Sequence, residues 1–102
     1  MNEQVRITDT RNPANATVDF SLYVSVDRAT RGITTIGISG LTELEDVHET
    51  IVTITARYDA RVRPALYMLL RGERYVVGDV EIIGRRRFIT FSASRTGEAV
   101  HA

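Results

Sequence analysis

The stretch ALYMLLRGERYVVGDVEII, residues 65–83, decides the fold. Apolar residues run up to a glycine and away from it, and Gly72-Glu73 fits a two-residue hairpin turn with glycine first. That register sets Arg71 opposite Arg74, Leu70 opposite Tyr75, Leu69 opposite Val76 and Met68 opposite Val77. Side chains alternate along a strand, so Met68, Leu70, Tyr75 and Val77 share one face while Tyr67, Leu69 and Val76 share the other. Both faces of this ribbon are apolar. One can cover a core, and the second calls for another surface. Two arginines set opposite each other repel. A carboxylate or phosphate between them reverses that, supplied by Glu73 or by a neighbouring chain.

Downstream, a second glycine turn at Gly84-Arg85 leads into RRFITFSAS (86–94). Val80, Ile82, Ile89 and Phe91 then lie on one face, with Asp79 and Glu81 on the other, diagonal to Arg86. Upstream, TIVTITARYD (50–59) reads as a strand with Val52, Ile54, Ala56 and Tyr58 facing one way. Pro64 holds Arg63 extended and marks the start of a strand rather than its middle. VDFSLYVSVD (18–27) alternates over its whole length, with Val18, Phe20, Leu22, Val24 and Val26 on one side. Between these strands, residues 28–49 carry three glycines and an acidic end. An unstructured loop of that length is uncommon in a compact domain, so the segment is read as a long excursion, a loop or a projecting hairpin. The first seventeen residues are polar and read as a flexible or partner-bound arm. The last eight, 95–102, read as a loose tail. The expectation is an all-β chain: one domain over 1–102, folded as a small antiparallel barrel or sandwich.

A chain of 102 residues builds an adequate but modest core. There is no cysteine, which excludes disulfides and thiolate metal sites. No apolar run is long enough to span a bilayer as a helix, and no secretory leader is read. Net charge is zero but unevenly spread. Residues 1–56 hold four arginines against eight acids, and residues 57–102 hold nine against five, giving −4 and +4. All thirteen basic residues are arginine, which pairs carboxylates in a fixed, often two-pronged geometry. Acidic and basic halves on one small chain fit self-association as well as internal pairing.

Catalytic chemistry is not apparent. The two histidines are His48 and His101. His48 stands among Glu43, Glu45, Asp46 and Glu49, but without a recognised metal-ligand spacing, so a solvated acidic segment is expected and no metal. No nucleophile–base set can be assembled and no glycine run makes a phosphate loop, so neither enzyme activity nor a cofactor is expected. Arg85, Arg86 and Arg87 have three readings: a solvated tip paired to Glu81, a contact with acids of an adjacent subunit, or a contact with DNA phosphate.

Residues 49–94 carry a broader pattern. A threonine-rich strand ends in Arg57-Tyr58, Arg63-Pro64 starts the next, a Gly72 turn precedes Tyr75, and a Gly84-Arg85 turn opens a final apolar strand. This resembles the head–tail joining proteins of long-tailed phages and phage-derived gene-transfer particles, the head-closure or stopper proteins. SLYVSVD (21–27) fits the strand before it, and the resemblance covers about three quarters of the chain.

The resemblance implies a small β-barrel assembling into a ring beneath the portal and adaptor. The ring closes the DNA channel after packaging and docks the tail. The implied partners are other copies of the chain, adaptor or portal proteins above, tail terminator or tail proteins below, and double-stranded DNA passing without sequence specificity. No membrane is implied. The chain would be made in the host cytoplasm and end in the virion neck. Candidates for the loop that projects into the channel are Gly32, Ile33, Thr34, Thr35, Ile36, Gly37, Ile38, Ser39, Gly40 and Leu41. Candidates for contacts between subunits or neck layers are Arg71, Arg74, Arg85, Arg86 and Arg87, answered by Glu43, Glu45, Asp46 and Glu49. Two other readings stand beside this one: a tail terminator or tail-completion protein, and a small nucleic-acid-binding barrel. The second predicts a basic groove and salt-sensitive affinity.

Overall fold

The computed structural model describes the backbone of residues 1–37 and 44–98, and the side chains of 1–27 and 49–95. The chain is all-β. Its strands are β1 (Glu3–Thr8), β2 (Asp19–Gly37), β3 (Leu44–Arg57), β4 (Tyr67–Leu70), β5 (Glu73–Ile83) and β6 (Phe88–Glu98). They close into an antiparallel barrel in the order β1-β2-β3-β6-β5-β4. The closing seam is short: β1 meets β4 through Arg6↔Leu69, Ile7↔Met68 and Thr8↔Tyr67.

Alternation in the sequence fixes which residues fill the barrel. Val24, Ile54, Met68, Leu70 and Ile89 are at most 1% exposed, and Val52, Ala56, Tyr75, Val77 and Phe91 are buried beside them. The members from each strand share one face, as the period-two pattern groups them, but Ile82, grouped with Ile89 and Phe91, is 54% exposed. The crossing from β3 to β4, residues 58–66, adds to the packing, with Val62 and Leu66 buried and Tyr58 packed against the core.

Three expectations are corrected. The N-terminal segment is not a free arm: residues 3–8 are the strand that closes the barrel, with Val5 and Ile7 buried. A strand holding two apolar residues gives little periodic signal, yet without it the barrel has no partner for the outer edges of β2 and β4. The tail is not loose over its first part, because Arg95–Glu98 continue β6 and pair with β3 from Thr50 to Val47. The β4–β5 hairpin keeps its expected faces but shifts its register. Its turn is Arg71-Gly72, both left-handed (φ +52° and +77°), so Leu70 pairs with Glu73 and Leu69 with Arg74. Arg71 and Arg74 therefore do not oppose each other.

Two bulges bend the sheet round. One falls between Val26 and Arg28, where the hydroxyl of Thr55 donates to the Asp27 carboxylate. The other falls between Val77 and Val80. Gly78 sits in it because a Cβ there would lie 2.5 Å from Ser92 Oγ.

The segment before residue 49 is a projecting hairpin. β2 and β3 stay paired out to Gly37↔Leu44, and among the described residues β6 accompanies β3 to Val47↔Glu98. The molecule accordingly has a long axis of 51 Å against 30 and 23 Å. No helix among the described residues is long and apolar enough to cross a membrane.

Candidate functional site: the arginine-bearing outer surface

The expected second apolar face exists. Leu69 and Val76 are 40% and 43% exposed, and Tyr67 is half-buried beside them. Sheet register extends this face: Tyr67 pairs with Val76, Val76 with Ser94, and Ser94 with the exposed Ile51. Four strands, β4, β5, β6 and β3, thus contribute one outward row. Arginines surround it. Arg11, Tyr67 and Arg74 line two adjoining grooves, one completed by Arg6, Pro13 and Leu69, the other by Val76, Ser94 and Arg95.

Several of these guanidiniums are occupied within the chain. Arg6 grips Asp19 with two hydrogen bonds, Nε to Oδ1 at 2.8 Å and Nη2 to Oδ2 at 2.6 Å. Arg95 donates to Glu73 at 2.8 Å and leaves its Nε buried without a partner. Arg71, a candidate for contacts with other chains, is taken by Glu3 of its own chain: Nε donates to Oε2 at 2.5 Å and Nη2 to Oε1 at 2.8 Å. That pairing holds the Glu3 carboxyl below the usual range, chiefly through the hydrogen bonds. Among the described residues, Arg11 and Arg74 meet no carboxylate.

Arg85, Arg86 and Arg87 lie at the other end of the barrel from the β2–β3 ribbon. They form an exposed loop between Ile83 and Phe88, closed by Arg87 N–H donating to Ile83 O at 3.2 Å. Gly84, Arg85 and Arg86 are all left-handed, with φ +64°, +56° and +65°. This four-residue loop replaces the expected two-residue Gly84-Arg85 turn. Among the described residues the three arginines pair with no carboxylate, so the bridge to Glu81 does not form; Glu81 lies opposite Thr90. At the same end Arg57 pairs in register with Phe88. Both line a cleft of about 640 Å³ with Tyr23, Leu22, Ser21 and Met1. Sequence reasoning missed this cleft, because its residues come from three separate strands and the N-terminus.

The acidic candidates divide. Glu45 and Asp46 stand on β3 opposite Ile36 and Thr35, beyond the last rung with β6 among the described residues. Glu49 pairs with Gly32 on one side and Thr96 on the other. Glu43 lies outside the described residues. Of the channel-loop candidates, Gly32, Ile33, Thr34, Thr35, Ile36 and Gly37 belong to β2 and pair with residues 44–49. Ile38, Ser39, Gly40 and Leu41 lie outside the described residues. Comparison with family models, with curated proteins and with solved structures found no match.

Proposed function

We propose that the chain is a structural subunit of a phage-type neck, forming a ring between the portal or adaptor and the tail, closing the DNA channel and docking the tail. One observation carries the reading. A closed barrel, which has satisfied its own core, still presents an apolar row set among arginines and sends a paired ribbon past its end. A solitary barrel has no use for either; a ring of copies uses both. The surfaces differ from one another, as head-to-tail contacts round a ring require. The ribbon tip is the segment directed at the channel.

The test is the particle neck itself. An image should locate the chain as a ring between portal and tail. A variant with residues 37–44 replaced by Asn-Gly keeps the rung Ile36↔Glu45 and, with it, Glu45 and Asp46. It should still assemble but release DNA from tailless heads. Normal DNA retention by such heads would reject the gate role, and absence of the chain from the neck would reject the whole reading.

A nucleic-acid-binding barrel is the second reading, favoured by Tyr23, Arg57 and Phe88 lining one cleft. Bases can stack on such aromatic surfaces. It predicts monomer binding to single-stranded DNA that weakens with salt and is lost in Phe88→Ala.

A further inference from the structure

We infer that the groove holding Arg11, Tyr67 and Arg74 receives the acidic ribbon of a second copy of this chain, with Glu45 and Asp46 as the carboxylates that reach it. The inference rests on the ring reading and names its contact. Arg11 and Arg74 are the cations of this groove that meet no carboxylate among the described residues, whereas Arg6 and Arg95 are held by Asp19 and Glu73. The half of the groove that also holds Val76, Ser94 and Arg95 encloses about 380 Å³. The apolar members of the two halves together, Tyr67, Leu69 and Val76, suit an extended segment that carries both apolar and acidic side chains. DNA phosphate is the poorer occupant. A duplex needs a run of cations facing one way, and it would leave this apolar floor in water.

The chain carries the complement itself. Residues 32–56 contain no arginine or lysine, and 43–49 contain Glu43, Glu45, Asp46 and Glu49. Elsewhere Glu3, Asp19, Asp59 and Glu73 are held in ion pairs, Asp9 by the Thr17 amide and Asp27 by Thr55, while Asp79 and Glu81, on the half of β5 nearer the Gly84 loop, meet no cation among the described residues. The ribbon also has the reach. Val52 is the last β3 residue toward the tip that is buried among the described residues, and at about 3.3 Å per residue the strand runs on for about 26 Å to Leu44. It leads away from its own barrel, so Glu45 and Asp46 stand on a segment within reach of a neighbour.

The absence of cysteine makes a direct test possible. Full-length Arg74→Cys protein and isotopically labelled Glu45→Cys protein are mixed at high concentration under mild oxidation, and the disulfide-linked species are weighed. The mixed 74–45 dimer should exceed the statistical yield several-fold. It should fall several-fold when Arg11→Glu is added to the first protein, and recover when Asp46→Arg is added to the second. A yield no higher than that of a Glu81→Cys control, or one indifferent to the charge changes, overturns the inference. Loss of the mixed dimer on adding a short DNA duplex, with Arg11-dependent binding of that duplex, overturns it in favour of phosphate. A ring seen in particles without the 74–45 link removes this contact and leaves the ring reading standing. The link without a ring in the neck does the reverse.

Discussion

Glu3 and Arg71, 68 residues apart, meet in a two-pronged ion pair that ties the first residue of β1 to the β4–β5 turn. The pair stands at the end of the closing seam, on the side from which the ribbon departs. Both side chains are substantially solvated, so the geometry locates the strand end more than it stabilises the fold. Glu3→Gln and Arg71→Ala should each lower Tm slightly, and the loss should shrink at about 0.5 M salt, where exposed charges are screened. A large salt-independent drop in thermal melts would assign the pair a different role.

Acid should weaken the fold through the same kind of contact. Glu3, Asp19 and Asp59 all titrate below the usual carboxylate range, chiefly because Arg71, Arg6 and Arg61 hydrogen-bond to their ionised forms. A lowered folded-state pKa stabilises fully above the unfolded value of about 4, and that contribution is lost as pH falls through the folded values. Tm should therefore hold near neutrality and decline below about pH 4. The decline should be shallower in the Arg6→Ala, Arg61→Ala, Arg71→Ala triple variant. An unchanged acid limb in that variant would show that other groups govern it.

Ile7 is wholly buried in the strand that closes the barrel. Ile7→Ala should cost about 2–5 kcal/mol, a large share of the stability of a small domain. Denaturant unfolding measures it. A cost near zero would return residues 1–8 to the status of an arm.

Gly78→Ala sets a methyl 2.5 Å from Ser92 Oγ and 3.3 Å from Ser92 O. About 1–3 kcal/mol of destabilisation is expected, as for other overpacked positions. The double variant with Ser92→Ala should recover part of it, since the nearest clash is with the hydroxyl. Strict additivity of the two substitutions in chemical denaturation would contradict the close approach.

Arg85 and Arg86 hold left-handed backbone without being glycine. Arg85→Gly should stabilise the isolated chain by about 1 kcal/mol, the typical penalty for a residue with a Cβ in that region. If the tip contacts another neck layer, the same variant should assemble fewer complete particles. Unchanged stability in calorimetry would mean that the guanidinium compensates the backbone.

Much of the fold was legible because alternation is a local signal. VDFSLYVSVD and TIVTITARYD declare their inward faces by themselves, and both supply the core they promised. Residues 3–8 did not, since Val5 and Ile7 in a polar context look no different from a tail until β2 and β4 flank them. The β4–β5 register also escaped, because choosing between Arg71-Gly72 and Gly72-Glu73 depends on Arg71 accepting a left-handed backbone. Of the candidate site, the apolar outer face of Leu69 and Val76 could be read from one hairpin. Its continuation to Ile51, the groove beside Arg11 and the cleft joining Tyr23, Arg57 and Phe88 could not. They arise from strand order round the barrel, which pairwise alternation does not contain.

The seam between β1 and β4 is three rungs long, and Leu69 in it pairs on its far side with Arg74. The barrel should therefore breathe there first, with the amides of Arg6 to Thr8 exchanging with solvent sooner than those of β3. Any body resting on the Arg74 groove would act as a clasp across this slit, and its binding energy would appear as added resistance to heat. The lone barrel would be a half-latched vessel, and its melting temperature would climb with the concentration of its own kind.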